Sequence, residues 1–229
     1  RRLYTADNCF VVCSGRIDEE VMAAIETLVA ALPRGERPEC SFPACETQYT
    51  LHAEREEALQ ASIRIGRLLF TRNHPDFVGM QVVAAILGGY FGSRLMQNLR
   101  EQHGYTYGVS AAMINFEKEG YLAIATQVAR EHREDALGEI YAEIERLREE
   151  LVDEEELQMV KNVMIGEVLR ILDGPFGIAD VTIENIMCGA DNSATEQCVE
   201  KIANITAEEI RDLARKYLER SEIVEVVMG

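Results

Sequence analysis

The chain has 229 residues, of which 47% are hydrophobic and 28% charged, a composition typical of a globular protein that excludes fibrous and disordered classes. Its 23 basic and 40 acidic residues give a formal net charge of −17. Because this charge repels nucleic-acid phosphates and anionic membranes, we expect no nucleic-acid and no membrane partner. No signal peptide or bilayer-spanning run is visible, so the expected location is the cytoplasm, although a start at Arg1 leaves a lost targeting segment open.

Two periodicities predict the elements: apolar residues three and four positions apart indicate helices, and short β-rich runs between turn residues indicate strands. In chain order they are a strand at 9–13, a helix at 18–32, strands at 48–53 and 61–70, helices at 77–87 and 93–102, a hairpin of 107–116 and 121–128, helices at 137–151, 157–171 and 206–217, and a strand at 223–228. The segment 34–45 carries two prolines and no periodicity, which predicts a linker. This order indicates an α+β fold, with an antiparallel sheet and a layer of helices on one face.

Local details refine three of these elements. The strands at 48–53 and 61–70 are expected to pair with each other. Ser93 is expected to cap the short helix that follows it. Thr206 and Glu209 form a capping box at the start of the last helix.

The residue types that carry metal or redox chemistry give no site here. Six cysteines, at positions 9, 13, 40, 45, 188 and 198, are expected to be thiols, because a chain of this length needs no disulfides and zinc-ribbon spacing is absent. The four histidines, at positions 52, 74, 103 and 132, include no pair four residues apart, so we expect solvated or locally bonded imidazoles. The glutamates at 143, 145, 149 and 150 are expected to form a solvated helix face.

The stretch 87–110 is the most constrained part of the sequence. Glycines at its start indicate tight turns around a short helix. Arg100, at the end of that helix, offers five fixed N–H donors beside Tyr107, and such a pair can hold a carbonyl or a carboxylate. The structural alternative is that Arg100 caps helix carbonyls while Tyr107 packs in the sheet with its hydroxyl hydrogen-bonded.

The same stretch resembles a known family. Its Leu-Gly-Gly, Ser-Arg-Leu and Leu-Arg-Glu triplets, with the Gly and Tyr that follow, are ordered as in the C-terminal half of M16 zinc metallopeptidases, the group of pitrilysin, insulin-degrading enzyme and mitochondrial processing peptidase. The resemblance extends over essentially the whole chain. It implies one half of a clamshell: the other half holds zinc, and this half supplies an Arg and a Tyr, seven residues apart, that hold the substrate peptide. Arg100 and Tyr107 match that spacing.

One departure from the family pattern limits what this chain can do. The zinc motif of the family, His-x-x-Glu-His, is absent from the sequence. We therefore expect no catalytic residue, metal ligand or cofactor in this chain, with zinc held by a missing half or a partner subunit. Residues 1–33 resemble the last strand and helix of the zinc-bearing half, so the expected division is 1–33, the linker 34–45 and a C-terminal domain 46–229.

The resemblance implies that this chain is the substrate-binding, zinc-free half of an M16-type peptidase, inactive alone, in which Arg100 and Tyr107 bind the substrate. The expected partners are a peptide substrate and a zinc-bearing half or homologous subunit, with a homo-oligomer also open. The alternative is a non-catalytic relative that serves as a structural or partner-binding subunit. Retention of both Arg100 and Tyr107 favours the peptidase.

Overall fold

The structure is a computed structural model and describes residues 3–38 and 50–229. The described α-helices are α1 (Glu19–Ala30), α2 (Phe77–Ala84), α3 (Arg133–Glu149), α4 (Glu154–Ile171), α5 (Pro175–Met187), α6 (Ser193–Asn204) and α7 (Ala207–Tyr217). The described strands are β1 (Thr50–Ala53), β2 (Gln60–Leu69), β3 (Val109–Asn115), β4 (Gly120–Ala129) and β5 (Val224–Met228). Shorter segments are π-helical at Ala85–Gly89 and Met96–Gln102, and 3₁₀-helical at Ala6–Asn8, Arg130–His132 and Arg220–Glu222.

The described residues group into two compact units. The first contains residues 3–38 and 169–192, and the second contains residues 50–168 and 193–229 with the entire sheet. The predicted linker at 34–45 lies partly outside the described residues, so its conformation stays a prediction. The grouping of 169–192 with the N-terminal residues is not foreshadowed by any pattern in the sequence.

The N-terminal segment of the first unit differs from the prediction. The strand predicted over 9–13 is wrong, because this segment belongs to none of the described strands. Phe10 and Val11 within it are 48% and 53% exposed. A strand requires a neighbour that bonds its backbone, and a β-rich run cannot supply that neighbour itself. The segment before it is instead tied to the end of the α1 region, where Ala6 N donates to Pro33 O at 2.9 Å.

The second unit is built on a five-stranded sheet in the order β1-β5-β2-β4-β3. β3 and β4 form the predicted antiparallel hairpin, and β4 also pairs with β2. The expected pairing of 48–53 with 61–70 is wrong: β5 lies between β1 and β2, and β1 runs parallel to β5. The parallel β1–β5 pair makes the sheet mixed at this edge. No local signal in the sequence predicts this pair, because β5 is distant from β1 along the chain.

The sheet has one buried and one open face. Ile63 and Ile65 of β2 are buried, whereas Arg64 between them is exposed, as the alternation of a strand requires. On the buried side, α2 and α3 contact the sheet and both pack against α7. The core includes these side chains, each less than 2% exposed: Met80, Ile86, Leu99, Ile124, Ile140, Leu147 and Ile210. The predicted α+β class is confirmed.

The C-terminal helices follow the prediction only in part. Thr206 Oγ1 accepts from Glu209 N at 3.2 Å and caps α7. The Glu209 carboxylate pairs with Lys201 instead of returning to Thr206, so the predicted capping box is half formed. Helices α5 and α6 occupy residues that carried no assigned element in the sequence. None of the described helices has both the length and the apolar character needed to cross a membrane.

Candidate functional site

Arg100 lies on the π-helical segment Met96–Gln102, which is anchored to the core. Leu99 is fully buried, and its carbonyl accepts from Tyr105 N at 2.8 Å. The segment therefore presents Arg100 from a backbone that packing and hydrogen bonding hold in place. The Arg100 side chain is 29% exposed, and within the described part of the chain its Nε forms one ion pair, a long contact to Glu101 at 3.6 Å.

Tyr107 lies on the loop between that segment and β3 and is 92% exposed. Gly104, at φ 66°, supplies the left-handed turn in this loop. Beyond the turn, Thr106 Oγ1 donates to Gln127 O at 2.7 Å and accepts from Gly108 N at 3.1 Å, which ties the loop to β4. The alternative in which Tyr107 packs in the sheet is therefore wrong.

The two predicted residues lie together in the structure. The Arg100 Cζ atom is 5.3 Å from the ring centroid of Tyr107 and 4.6 Å from that of Phe91, within the range of cation–π attraction. Phe91 is 62% exposed and belongs to the glycine-rich turn before the π-helical segment. Its ring was not predicted from the sequence, although the glycines on both sides of it marked the turn. We call Phe91, Arg100 and Tyr107 the Arg100 cluster.

A pocket of about 370 Å³ opens beside Tyr107 on the open face of the sheet. Its lining includes Gln60, Arg64, Thr106, Tyr107, Ser110 and Gln127. The pocket arises from side-chain size: Arg64 of β2 lies opposite Ala125 of β4, which lies opposite Ser110 of β3. Side chains at paired positions of adjacent strands are neighbours on one face of the sheet. The small side chains of Ala125 and Ser110 therefore leave a hollow beside the long side chain of Arg64. No pattern along a single strand foreshadows this pocket.

Arg94 of the Ser-Arg-Leu triplet has a structural partner. Its Nε and Nη2 donate to the two carboxylate oxygens of Glu156 at 2.8 and 2.7 Å. Burial opposes the charge of Arg94, but the hydrogen bonds to Glu156 outweigh this and raise its pKa. The predicted Ser93 cap is wrong for the side chain, because the buried hydroxyl finds no partner among the described residues. The Ser93 carbonyl accepts from Gln97 N at 2.9 Å.

A buried acid connects the π-helical segment to α3. Glu143, predicted to be solvated, is 4% exposed, so the prediction is wrong at this position. Asn98 Nδ2 donates to Glu143 Oε1 at 3.1 Å and to Glu139 Oε2 at 2.8 Å. Arg146 Nη1 lies 3.0 Å from Glu143 Oε1 and compensates the buried charge. This network fixes the segment that carries Arg100.

A second buried acid lies on β5, next to the edge strand β1. Glu225 of β5 is 8% exposed; it accepts from the Tyr141 hydroxyl at 2.7 Å and lies 2.6 Å from His52 Nε2. Burial, then the hydrogen bond to Glu225, raises the pKa of Tyr141. These contacts join α3 to the β5 and β1 strands.

The described residues do not fit a zinc ion. Among them, no three His, Cys, Asp or Glu side chains cluster in a way that could hold a metal. His74, for example, stacks on Phe70 with ring centroids 3.9 Å apart. Among the described residues, Cys9, Cys13 and Cys198 carry free thiols. Cys40 and Cys45 lie outside the described residues.

Comparison with known proteins shows the family. The model of the family described as "Peptidase M16 inactive domain" matches residues 1–164. The chain belongs to this M16 family. The resemblance drawn from the triplets in 87–110 is thereby confirmed, and the chain corresponds to an inactive M16 domain of the kind found in proteins named zinc proteases.

Relatives and solved structures agree with this membership. An uncharacterized zinc protease of Mycobacterium tuberculosis is 26% identical over 227 residues, which cover 96% of this chain and 51% of that protein. A Bacillus subtilis protein named "Probable inactive metalloprotease" is 23% identical over 158 residues, 69% of this chain and 36% of that protein. The peptidase M16 inactive domain from Pseudomonas fluorescens matches with a TM-score of 0.84 at 26% identity, covering 99% of this chain and 55% of that chain. The chain spans about half the length of the full-length zinc protease it matches.

Proposed function

We propose that this chain is the substrate-holding, zinc-free half of an M16-type peptidase. It binds an extended peptide through Arg100 and Tyr107, and a zinc site on another half or subunit hydrolyses that peptide. The Arg100 guanidinium donates hydrogen bonds to peptide carbonyls, and the Tyr107 ring and hydroxyl contact the peptide backbone. The contribution of this chain is to bind and orient the substrate.

The two exposed rings that lie against a weakly paired Arg100 carry this proposal. An arginine that serves the fold forms close bonds, as Arg94 does with Glu156 at 2.7 Å. Arg100 instead has a long contact to Glu101 and lies on two exposed rings. Exposed rings on a loop with a fixed backbone suit a ligand-binding surface, because little entropy is lost when the ligand binds.

Peptide binding by the purified chain tests the proposal. The probe is a fluorescein-labelled extended peptide, titrated by fluorescence anisotropy. We expect Arg100→Gln and Tyr107→Ala each to weaken binding about tenfold, because each removes a charge-assisted donor or a stacked ring. The double variant should lose less than the sum of the two, since the side chains contact each other.

Two exposed residues outside the cluster give matched controls. Arg55→Gln makes the same charge change as Arg100→Gln, and Phe116→Ala removes another exposed ring. Both variants should bind the peptide as the unmodified chain does. If the two cluster variants bind equally well, or lose no more affinity than the controls, the proposal is refuted.

A second candidate is a non-catalytic M16 subunit that binds a protein partner, and the name of the Bacillus subtilis relative favours it. Reconstitution separates the two functions. Mixed with a zinc-bearing M16 half, a substrate-holding chain permits hydrolysis of a fluorogenic peptide, and Arg100→Ala lowers the rate. A chain that serves only as a scaffold gives no hydrolysis and no response to that substitution.

A further inference from the structure

We propose that the pocket beside Tyr107 binds a carboxylate of the bound peptide, with Arg64 as the specificity-determining residue. This inference rests on the proposed function, because it names the substrate class for the surface next to the Arg100 cluster. The ligand is an Asp or Glu side chain or a free C-terminal carboxylate, since these present the same planar group with two acceptor oxygens.

Backbone carbonyls hold one side of the Arg64 guanidinium. Its Nη1 donates to Ile63 O at 2.9 Å and to Thr126 O at 3.2 Å. A guanidinium carries donors on three nitrogens, so these bonds leave its Nε and Nη2 edge unpartnered within the described part of the chain. The fixed side reduces the entropy that Arg64 would lose on binding a ligand.

Arg94 shows in this same chain what such an edge binds. Its Nε and Nη2 hold both oxygens of Glu156 in a bidentate pair. Arg64 lines an open pocket, and no carboxylate of the described residues pairs with it. A carboxylate brought by the peptide would complete the same pair on Arg64.

The charge of the pocket is opposite in sign to that of the whole chain. Acidic residues outnumber basic ones by 40 to 23, yet the described residues that line the pocket include Arg64 and no acid. On the same strand, Arg67 is already paired with Glu222. Arg100, stacked on Tyr107, adds positive charge beside the pocket. A cation without an acidic partner attracts an anion to its own site, even when the protein as a whole is acidic.

The remaining lining suits a polar group of modest size. The side chains of Gln60, Gln127 and Ser110 carry hydrogen-bond donors around Arg64. Ala125, directly opposite Arg64, leaves the space that a larger residue would fill. A volume of about 370 Å³ is at the lower end of ligand pockets, which fits a peptide side chain or terminus.

A peptide scan with the full chain tests the inference. Labelled peptides of one extended sequence carry Glu or Gln at each position in turn, and each peptide is made with a free or an amidated C-terminus. We expect one position, or the free terminus, to bind about tenfold more tightly in its carboxylate form, and Arg64→Gln to abolish that preference. Arg64→Lys keeps the positive charge but loses the planar pair of guanidinium donors, so it should retain only part of the preference for a carboxylate.

Controls separate this inference from the proposed function. Arg55→Gln should leave the preference intact, and Ala125→Leu should reduce it by filling the pocket. Binding that shows no preference for a carboxylate, or a preference that survives Arg64→Gln, overturns the inference and leaves the proposed function standing. A chain that binds none of the peptides overturns both. A preference at an internal position identifies a side chain, and one limited to the free terminus identifies a C-terminal carboxylate.

Discussion

Asp76→Asn is expected to destabilise the second unit in a pH-dependent way. Asp76 lies at the start of α2, and its Oδ2 accepts from Lys216 Nζ at 2.8 Å and from the Tyr217 hydroxyl at 2.6 Å, both at the end of α7. The hydrogen bonds from Lys216 and then Tyr217 hold the pKa of Asp76 below its ordinary value of 3.8. The Asp76 carboxylate thus links α2 to α7 through two hydrogen bonds.

The expected magnitude follows from the exposure of these groups. A hydrogen bond to a charged group contributes roughly 1.5–3 kcal/mol, and Tyr217, which donates one, is 9% exposed. The Asp76 side chain is 24% exposed and that of Lys216 61%, so solvent screens the ion pair and it adds little. In the Asp76→Asn variant, the side-chain amide oxygen still accepts a weaker hydrogen bond from the Tyr217 hydroxyl. We therefore expect a loss of about 1–2 kcal/mol in the free energy of unfolding.

The sign of the pH dependence follows from the lowered pKa. The stabilisation by Asp76 is fully present above the unfolded pKa and is lost as the pH falls through the lower folded pKa. Urea unfolding, followed by circular dichroism, should show the full difference between unmodified chain and variant near neutral pH, and a shrinking difference below pH 3.8. Asp212→Asn is the matched control, because Asp212 is 66% exposed. A difference that is absent near neutral pH, or constant at every pH, would refute the reasoning.

Three further substitutions probe the packing around the site, each measured by chemical unfolding. Gly88→Ala should cost about 2–3 kcal/mol, because its Cβ would lie 2.6 Å from a backbone nitrogen of β3; unchanged stability would contradict this and show that the segment Ala85–Gly89 shifts freely. Arg94→Gln should cost about 2–4 kcal/mol, since Glu156 loses its bidentate partner; a loss no larger than that of Arg55→Gln would contradict this. Tyr141→Phe should cost about 1–2 kcal/mol, because Glu225 loses a donor at 2.7 Å; a loss below about 0.5 kcal/mol would mean that water replaces the hydroxyl.

Helices that carry their own apolar stripe were predictable from the sequence. Ile140, Ile144 and Leu147 of α3 recur at helical spacing and are buried, so the pattern and the packing agree. The β3–β4 hairpin is also local, because its strands are joined by a short turn. The β1–β5 pair was not predictable, since parallel neighbours at opposite ends of the unit share no local signal.

The candidate site was likewise only partly predictable from the sequence. The resemblance to the M16 family pointed to Arg100 and Tyr107, and the structure brings Tyr107 next to Arg100 on a loop turned by Gly104. Arg64 gave no signal, because an arginine at alternate positions of a strand is ordinary and its pocket depends on small residues of two other strands. Glu143 looked solvated for the same reason: its partner Asn98 is remote in sequence.

Photo-crosslinking tests most directly whether Tyr107 lies against bound peptide. The measurement replaces Tyr107 with p-benzoylphenylalanine, irradiates the chain with the labelled extended peptide and quantifies the covalent adduct. The proposed function predicts an adduct at this position that Arg100→Gln reduces, and much less adduct when the same probe replaces the exposed Phe116. Equal labelling at both positions, or labelling that is indifferent to Arg100→Gln, would contradict it.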